Sequence, residues 1–207
     1  MKKVIAIALF LTSTVVFAQD QYSKGMQKAF QLWGEGKTTE ASNMFERISN
    51  AEMDNWLPYY YVAQINTIVS FGEKDKEKLT QQLEKAQEFI DLAKAISPDN
   101  PEILVQQAMT QTAWIAFDGA TYGMTLSGKV VANYAKAAQL APNNPRVVFS
   151  KAEWDMGSAA YFGQDTALYC KDVERSIELF DTFKPESDFH PNWGKDRAQA
   201  TSENCKK

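Results

Sequence analysis

Lys85-Ala86-Gln87-Glu88-Phe89-Ile90-Asp91-Leu92-Ala93-Lys94-Ala95-Ile96-Ser97-Pro98-Asp99-Asn100-Pro101-Glu102-Ile103 reads as the back half of one helix, a turn bracketed by two prolines, and the start of another helix. A second copy of the turn lies 44 residues on, where Pro142-Asn143-Asn144-Pro145-Arg146-Val147 falls under Pro98-Asp99-Asn100-Pro101-Glu102-Ile103. Helical hairpins that recur along a chain are the signature of a solenoid, in which each unit buries its apolar face against its neighbours. The expectation is an all-α array. Chemistry is another matter.

The 207 residues suit one such array. Residues 1–18 read as something separate, a secretory signal peptide: Lys2 and Lys3, an apolar run from Val4 to Phe10, then Val16-Phe17-Ala18 as the cleavage pattern. The apolar run is too short to serve comfortably as a membrane anchor, and no cysteine follows the cleavage site to take a lipid. Residues 19–207 are then the exported domain, periplasmic or secreted, with no later segment apolar enough to span a bilayer. Removing Lys2 and Lys3 from the 22 basic residues leaves 20 against 26 acidic ones, a charge of −6. That sign argues against nucleic acid or anionic lipid as a partner.

The first helix is expected over Tyr22 to Trp33, with Gly34 and Gly36 ending it. Beyond it, Gly36-Lys37-Thr38-Thr39-Glu40-Ala41-Ser42-Asn43-Met44-Phe45-Glu46 puts Ala41, Phe45 and Ile48 on one helical face. This closely resembles the second helix of a tetratricopeptide repeat, in which a small residue lets two antiparallel helices approach and a large one fills the adjoining groove. The register persists. The small position of each first helix falls on Ala29, Ala63, Ala108 and Ala152. The second-helix trio falls on Ala41, Phe45, Ile48, then Ala86, Ile90, Ala93, then Val130, Tyr134, Ala137, and then Val173, Ile177, Phe180. The turn proline recurs at Pro98, Pro142 and Pro185. The resemblance implies a right-handed superhelical stack of four helical hairpins, closed by a terminal capping helix from about Lys195 to Asn204, with Phe189 and Trp193 as plugs in the cap.

Spacing departs from the family. Ala29 to Ala41 takes 12 residues, whereas Ala63 to Ala86, Ala108 to Val130 and Ala152 to Val173 take 23, 22 and 21. Each extension passes an aromatic-glycine mark, at Phe71-Gly72, Phe117-Asp118-Gly119 and Phe162-Gly163. A longer first helix, a glycine stop and a loop are expected, gathered along one edge of the array. Gly119, Gly123 and Gly128 read as loop glycines.

Catalytic signatures are missing from the sequence. There is no Gly-x-Ser-x-Gly elbow, no phosphate-cradling glycine loop and no dinucleotide fingerprint, so the chain is not expected to be an enzyme or to carry a cofactor. The single histidine, His190, stands two residues from Asp188 without the second histidine or cysteine pair that a metal site needs, and reads as structural or surface. Glu153 and Asp155 stand out as carboxylates among apolar neighbours, although acidic residues on a helix are usually solvated. Cys170 and Cys205 are the only cysteines, and in an oxidising compartment a structural disulfide is preferred over two free thiols.

The tetratricopeptide resemblance also implies a function. Such arrays bind a protein or peptide in a concave groove lined by the first helices. Carrying the inward positions across gives Met26, Phe30, Trp33, Tyr60 and Gln64 in the first two units, and Val105, Met109, Phe149, Glu153 and Met156 in the last two. That stripe is rich in aromatics and methionine, as suits an adaptable recognition surface. The alternative is a small-ligand or glycan-binding module built on the loops at Phe71, Phe117 and Phe162.

Overall fold

The structure, a computed structural model, describes residues 21–205, so the signal segment read at residues 1–18 lies outside the described residues. Residues 21–34 form α1. There follow α2 (Thr38–Ala51), α3 (Trp56–Ser70), α4 (Lys76–Ile96), α5 (Pro101–Phe117), α6 (Gly119–Leu140), α7 (Pro145–Tyr161), a short 3-10 turn (Ala167–Tyr169), α8 (Cys170–Thr182) and α9 (Lys195–Cys205). The described residues contain no strand, and the fold is all-α. Helices adjacent in sequence pack together, and α3, α5 and α7 also touch in series.

The recurrent turn owes its form to its residue types. Asn100 caps α5 by accepting from the Glu102 N–H at 2.9 Å, and Asn144 caps α7 by accepting from the Arg146 N–H at 3.0 Å. Pro101 and Pro145 follow as first helical residues, where a missing N–H costs nothing and φ is already helical. Asp99 takes a positive φ of 59°, a conformation that aspartate tolerates in tight turns.

The alanine register holds. Ala29, Ala63, Ala108 and Ala152 are at most 2% exposed, and the second-helix trios are buried with them except for half-buried Ile177 and Phe180. Where each extension goes differs from the expectation of loops. The added residues lengthen helices: α4 has 21 residues and α6 has 22, against 14 in α2. Only Asp118 separates α5 from α6, its carboxylate accepting from the Thr121 N–H at 3.0 Å and the Thr121 hydroxyl at 2.6 Å. Gly119, Gly123 and Gly128 therefore lie within α6 and are not loop glycines. The cause is burial: Leu79 and Leu83 on the added turns of α4 pack with Ala113, Trp114 and Phe117 of α5, a small core of their own. Only the last pair keeps a longer connection, residues 162–169.

The segment 183–194 also departs from expectation. Phe189 does not plug the last unit but packs against the first two, and Trp193 packs against the core of α5, α6 and α7 while bonding back to α3. Phe189 packs edge-on to Tyr22 with centroids 5.6 Å apart and stacks with Phe30 at 6.2 Å, while its carbonyl accepts from the Tyr61 hydroxyl at 2.7 Å. Trp193 Nε1 donates to the Tyr60 hydroxyl at 2.9 Å. The segment thus crosses the starts of α7, α5, α3 and α1 like a strap. The Cys170–Cys205 disulfide then ties α9 to the start of α8.

Beneath the strap lies a buried ionic cluster. Arg146 Nε and Nη2 donate to the two oxygens of Glu102 at 2.8 and 2.6 Å, and the Asn144 amide adds a third bond to Glu102 at 2.6 Å. The guanidinium sits 4.4 Å over the Phe183 ring, a cation–π contact from the strap itself. His190 Nε2 stands 3.8 Å from Glu102, and its ring meets Trp56 edge-on. Burial pushes the Glu102 carboxyl up, but the donors around it outweigh burial and hold it below its ordinary range.

Candidate functional site

The first helices of the hairpins, α1, α3, α5 and α7, share one face. It forms a groove of about 1440 Å³. From α1 come Phe30 and Trp33; from α3 come Tyr61, Gln64, Ile68 and, just past its end, Phe71. From α5 come Met109, Thr112, Ile115 and Ala116, and from α7 come Ser150, Glu153, Trp154, Gly157, Ser158 and Tyr161. These positions recur at spacings of three and four, one stripe along each helix. Gly119, Gly123, Met124, Ser127 and Tyr134 of α6 form a side wall. The strap supplies Asp188, His190, Asn192 and Trp193 as an end wall, and α9 adds Asp196 and Arg197.

Of the ten side chains assigned to the groove from sequence, Phe30, Trp33, Gln64, Met109 and Glu153 line it. Met26, Tyr60, Val105 and Phe149 are corrected to the interior, each at most 1% exposed, and Met156 packs half-buried against Phe149, Ala152 and Val173. The error is one of rotation. Moving one residue along a helix turns the side chain by about 100°, so Tyr61 faces the groove where Tyr60 was expected, and Ser150 where Phe149 was expected. Trp154 was missed for the same reason. Trp193 and Arg197 were missed because the sequence carries no sign that the strap and α9 return to the inner face. Cys170 and Cys205 are bonded as expected.

The loop-edge aromatics divide. Phe71 and Phe162 line the mouth of the groove, with Phe162 70% exposed, whereas Phe117 packs into the Leu79 and Leu83 core. Met124 and Tyr161 stand beside them, 96% and 79% exposed. Deeper in, the aromatic wall is rigid: Phe30 meets Tyr61 edge-on at 4.7 Å, and Tyr61 stacks on Phe45 at 5.1 Å. Burial pushes the phenols of Tyr60, Tyr61 and Tyr134 up, so they remain neutral hydrogen-bonding groups.

Charge in the groove is sparse. Glu153 on α7 accepts from Arg197 Nε on α9 at 2.6 Å. Burial pushes the Glu153 carboxyl up, and Arg197 opposes that shift only in part. Asp155 pairs with Lys151 along α7 and does not join Glu153 in the groove. His190 is a structural histidine set between Glu102 and the groove, and the described residues contain no cluster of histidine, cysteine and carboxylate groups able to hold a metal ion. Nor is any described helix long and apolar enough to cross a membrane.

The fold and this groove define an all-α scaffold with one large, aromatic-lined concavity. It is similar to the solved structure of the HusA haemophore from Porphyromonas gingivalis, with a TM-score of 0.79 over 89% of this chain and 92% of that one. Sequence identity is 22%, so the likeness is one of fold. No family model matches the chain, and no curated protein does. The tetratricopeptide reading of the repeats therefore rests on the alanine register.

Proposed function

We propose that this chain is a binding protein, not a catalyst, and that its groove takes a flat, largely apolar small molecule of the tetrapyrrole class, such as haem. The observation that carries the reading is a groove of about 1440 Å³ with Trp33, Tyr61, Trp154 and Trp193 on its walls. Ordinary small-molecule pockets measure about 300–1,000 Å³, so a macrocycle suits this one better than a metabolite or a short sugar. Aromatic faces also suit a planar ligand, which stacks over its whole area.

A protein or peptide in the groove, the first expectation from sequence, is less well supported. A polypeptide running through the groove from end to end would need both ends open, and strap residues line one of them. The loop-edge alternative and the groove merge, because Phe71 and Phe162 form the mouth of the same cavity. The fold shared with a protein described as a haemophore supports the ligand class. The disulfide supports an extracytoplasmic location, and the alanine register supports a superhelical, tetratricopeptide-like origin of the array.

The test is a titration of haemin into residues 19–207, read by tryptophan quenching and by the Soret band. Saturable binding with strong quenching is expected, since three groove residues are tryptophans near the ligand. Trp33→Ala with Trp154→Ala, both part-exposed on the groove wall, should weaken it at least a hundredfold, taking about 1.5 kcal/mol or more for each aromatic contact removed. Haemin that neither quenches nor saturates would overturn the proposal.

A further inference from the structure

Among the described residues, Arg197 is the only lysine or arginine on the groove wall, where Glu153, Asp188 and Asp196 are all acidic. Its position is built with care. Neighbouring Ala198 is fully buried, and α9 is bonded to α8 through Cys170–Cys205. Glu153 holds Nε at 2.6 Å and so orients the guanidinium, while the Arg197 side chain remains 69% exposed. A guanidinium presents a planar fork of donors, and with Nε engaged its terminal nitrogens are oriented for a second carboxylate.

Resting on the tetrapyrrole reading above, we infer that Arg197 is the specificity anchor for a carboxylate substituent of the ligand, and that Glu153 is the intramolecular carboxylate with which it competes. Among the described residues the walls leave an acidic ligand one cation to meet. A ligand carboxylate turned toward Asp188 or Asp196 would face repulsion, so a single acidic edge is oriented toward α9 and any other is directed to solvent. Glu153, already disfavoured as an anion by its burial, gives up part of Arg197 when the ligand arrives. Arg197 is a ligand-binding residue in this scheme, selecting among ligands of one shape by their charge.

The experiment compares protoporphyrin IX as the free acid with its dimethyl ester, which keeps the ring and removes the charge, in the same dilute detergent buffer. Wild-type protein should favour the acid. Arg197→Gln should lose about tenfold in affinity for the acid, the scale of one charge-assisted hydrogen bond, and leave the ester unchanged. Arg197→Lys should recover part of the loss, and Glu153→Gln should bind the acid at least threefold more tightly. Circular dichroism checks that each variant is folded. Equal losses for acid and ester in Arg197→Gln, or no loss for either, would overturn the anchor while leaving the groove reading intact. Failure of both porphyrins to bind the wild type would instead remove the groove reading and the anchor with it.

Discussion

Glu102 and Arg146 occupy the same place in the repeated turn, one residue after Pro101 and Pro145, and stacking of α5 on α7 brings them into a bidentate pair at 2.8 and 2.6 Å. Both are buried, and Asn144, which caps α7 with its oxygen, gives an amide hydrogen to Glu102. The turn that marks the repeat in sequence is thus also the joint between repeats. Removing one partner leaves the other charge buried and unpaired, a loss of about 3–5 kcal/mol. Glu102→Ala should therefore destabilise severely in urea denaturation. Glu102→Leu combined with Arg146→Met should be far milder, because the pair is replaced rather than broken.

The same carboxylate makes stability depend on acid. Its folded-state value is depressed, so its contribution is fully present above the unfolded glutamate range, about pH 4.3, and disappears as pH falls through the lower folded-state value. The wild type should lose stability steeply below about pH 4.3. The Leu–Met double variant should show a shallower fall over the same range. Parallel pH profiles would refute the assignment.

Much of this was legible in the sequence, and the parts that were not share a cause. The alanines are fixed by backbone approach within a hairpin, a local constraint that repeats, so Ala29, Ala63, Ala108 and Ala152 declared themselves. Ala108→Leu should cost about 1–3 kcal/mol through overpacking, and an unchanged melt would contradict the register. Which residue faces the groove is a finer matter, since 100° of rotation separates Tyr60 from Tyr61. The strap was beyond reach: Tyr61 meets Phe189 across 128 residues and Tyr60 meets Trp193 across 133, through contacts that no local pattern encodes.

The Cys170–Cys205 bridge closes a separation of 35 residues, which by loop entropy stabilises by about 3–4 kcal/mol. Since α9 carries Arg197, the bridge also bears on the site. Cys170→Ser with Cys205→Ser should lower the melting temperature. It should also narrow the preference for the porphyrin acid over its ester, because α9 is then free to shift. Mass spectrometry after alkylation without reductant should find no modified thiol in the folded wild type.

The aromatics at the hairpin tips look alike in sequence and should behave differently. Phe117 is half-buried among Leu79, Leu83 and Trp114, so Phe117→Ala opens a cavity and should cost about 2–4 kcal/mol. Phe162 is 70% exposed at the mouth of the groove, and surface truncation there should change stability by no more than about 0.5 kcal/mol. Its ring is available to a ligand instead, beside Tyr161 at a centroid distance of 5.1 Å. Phe162→Ala should therefore weaken haemin binding several-fold with an unaltered denaturation curve, and Phe117→Ala should do the reverse. Should Phe162→Ala leave haemin affinity untouched while Tyr61→Ala lowers it, the ligand sits wholly against the strap end of the groove. The exposed tips of α6 and α7 then play no part in holding it.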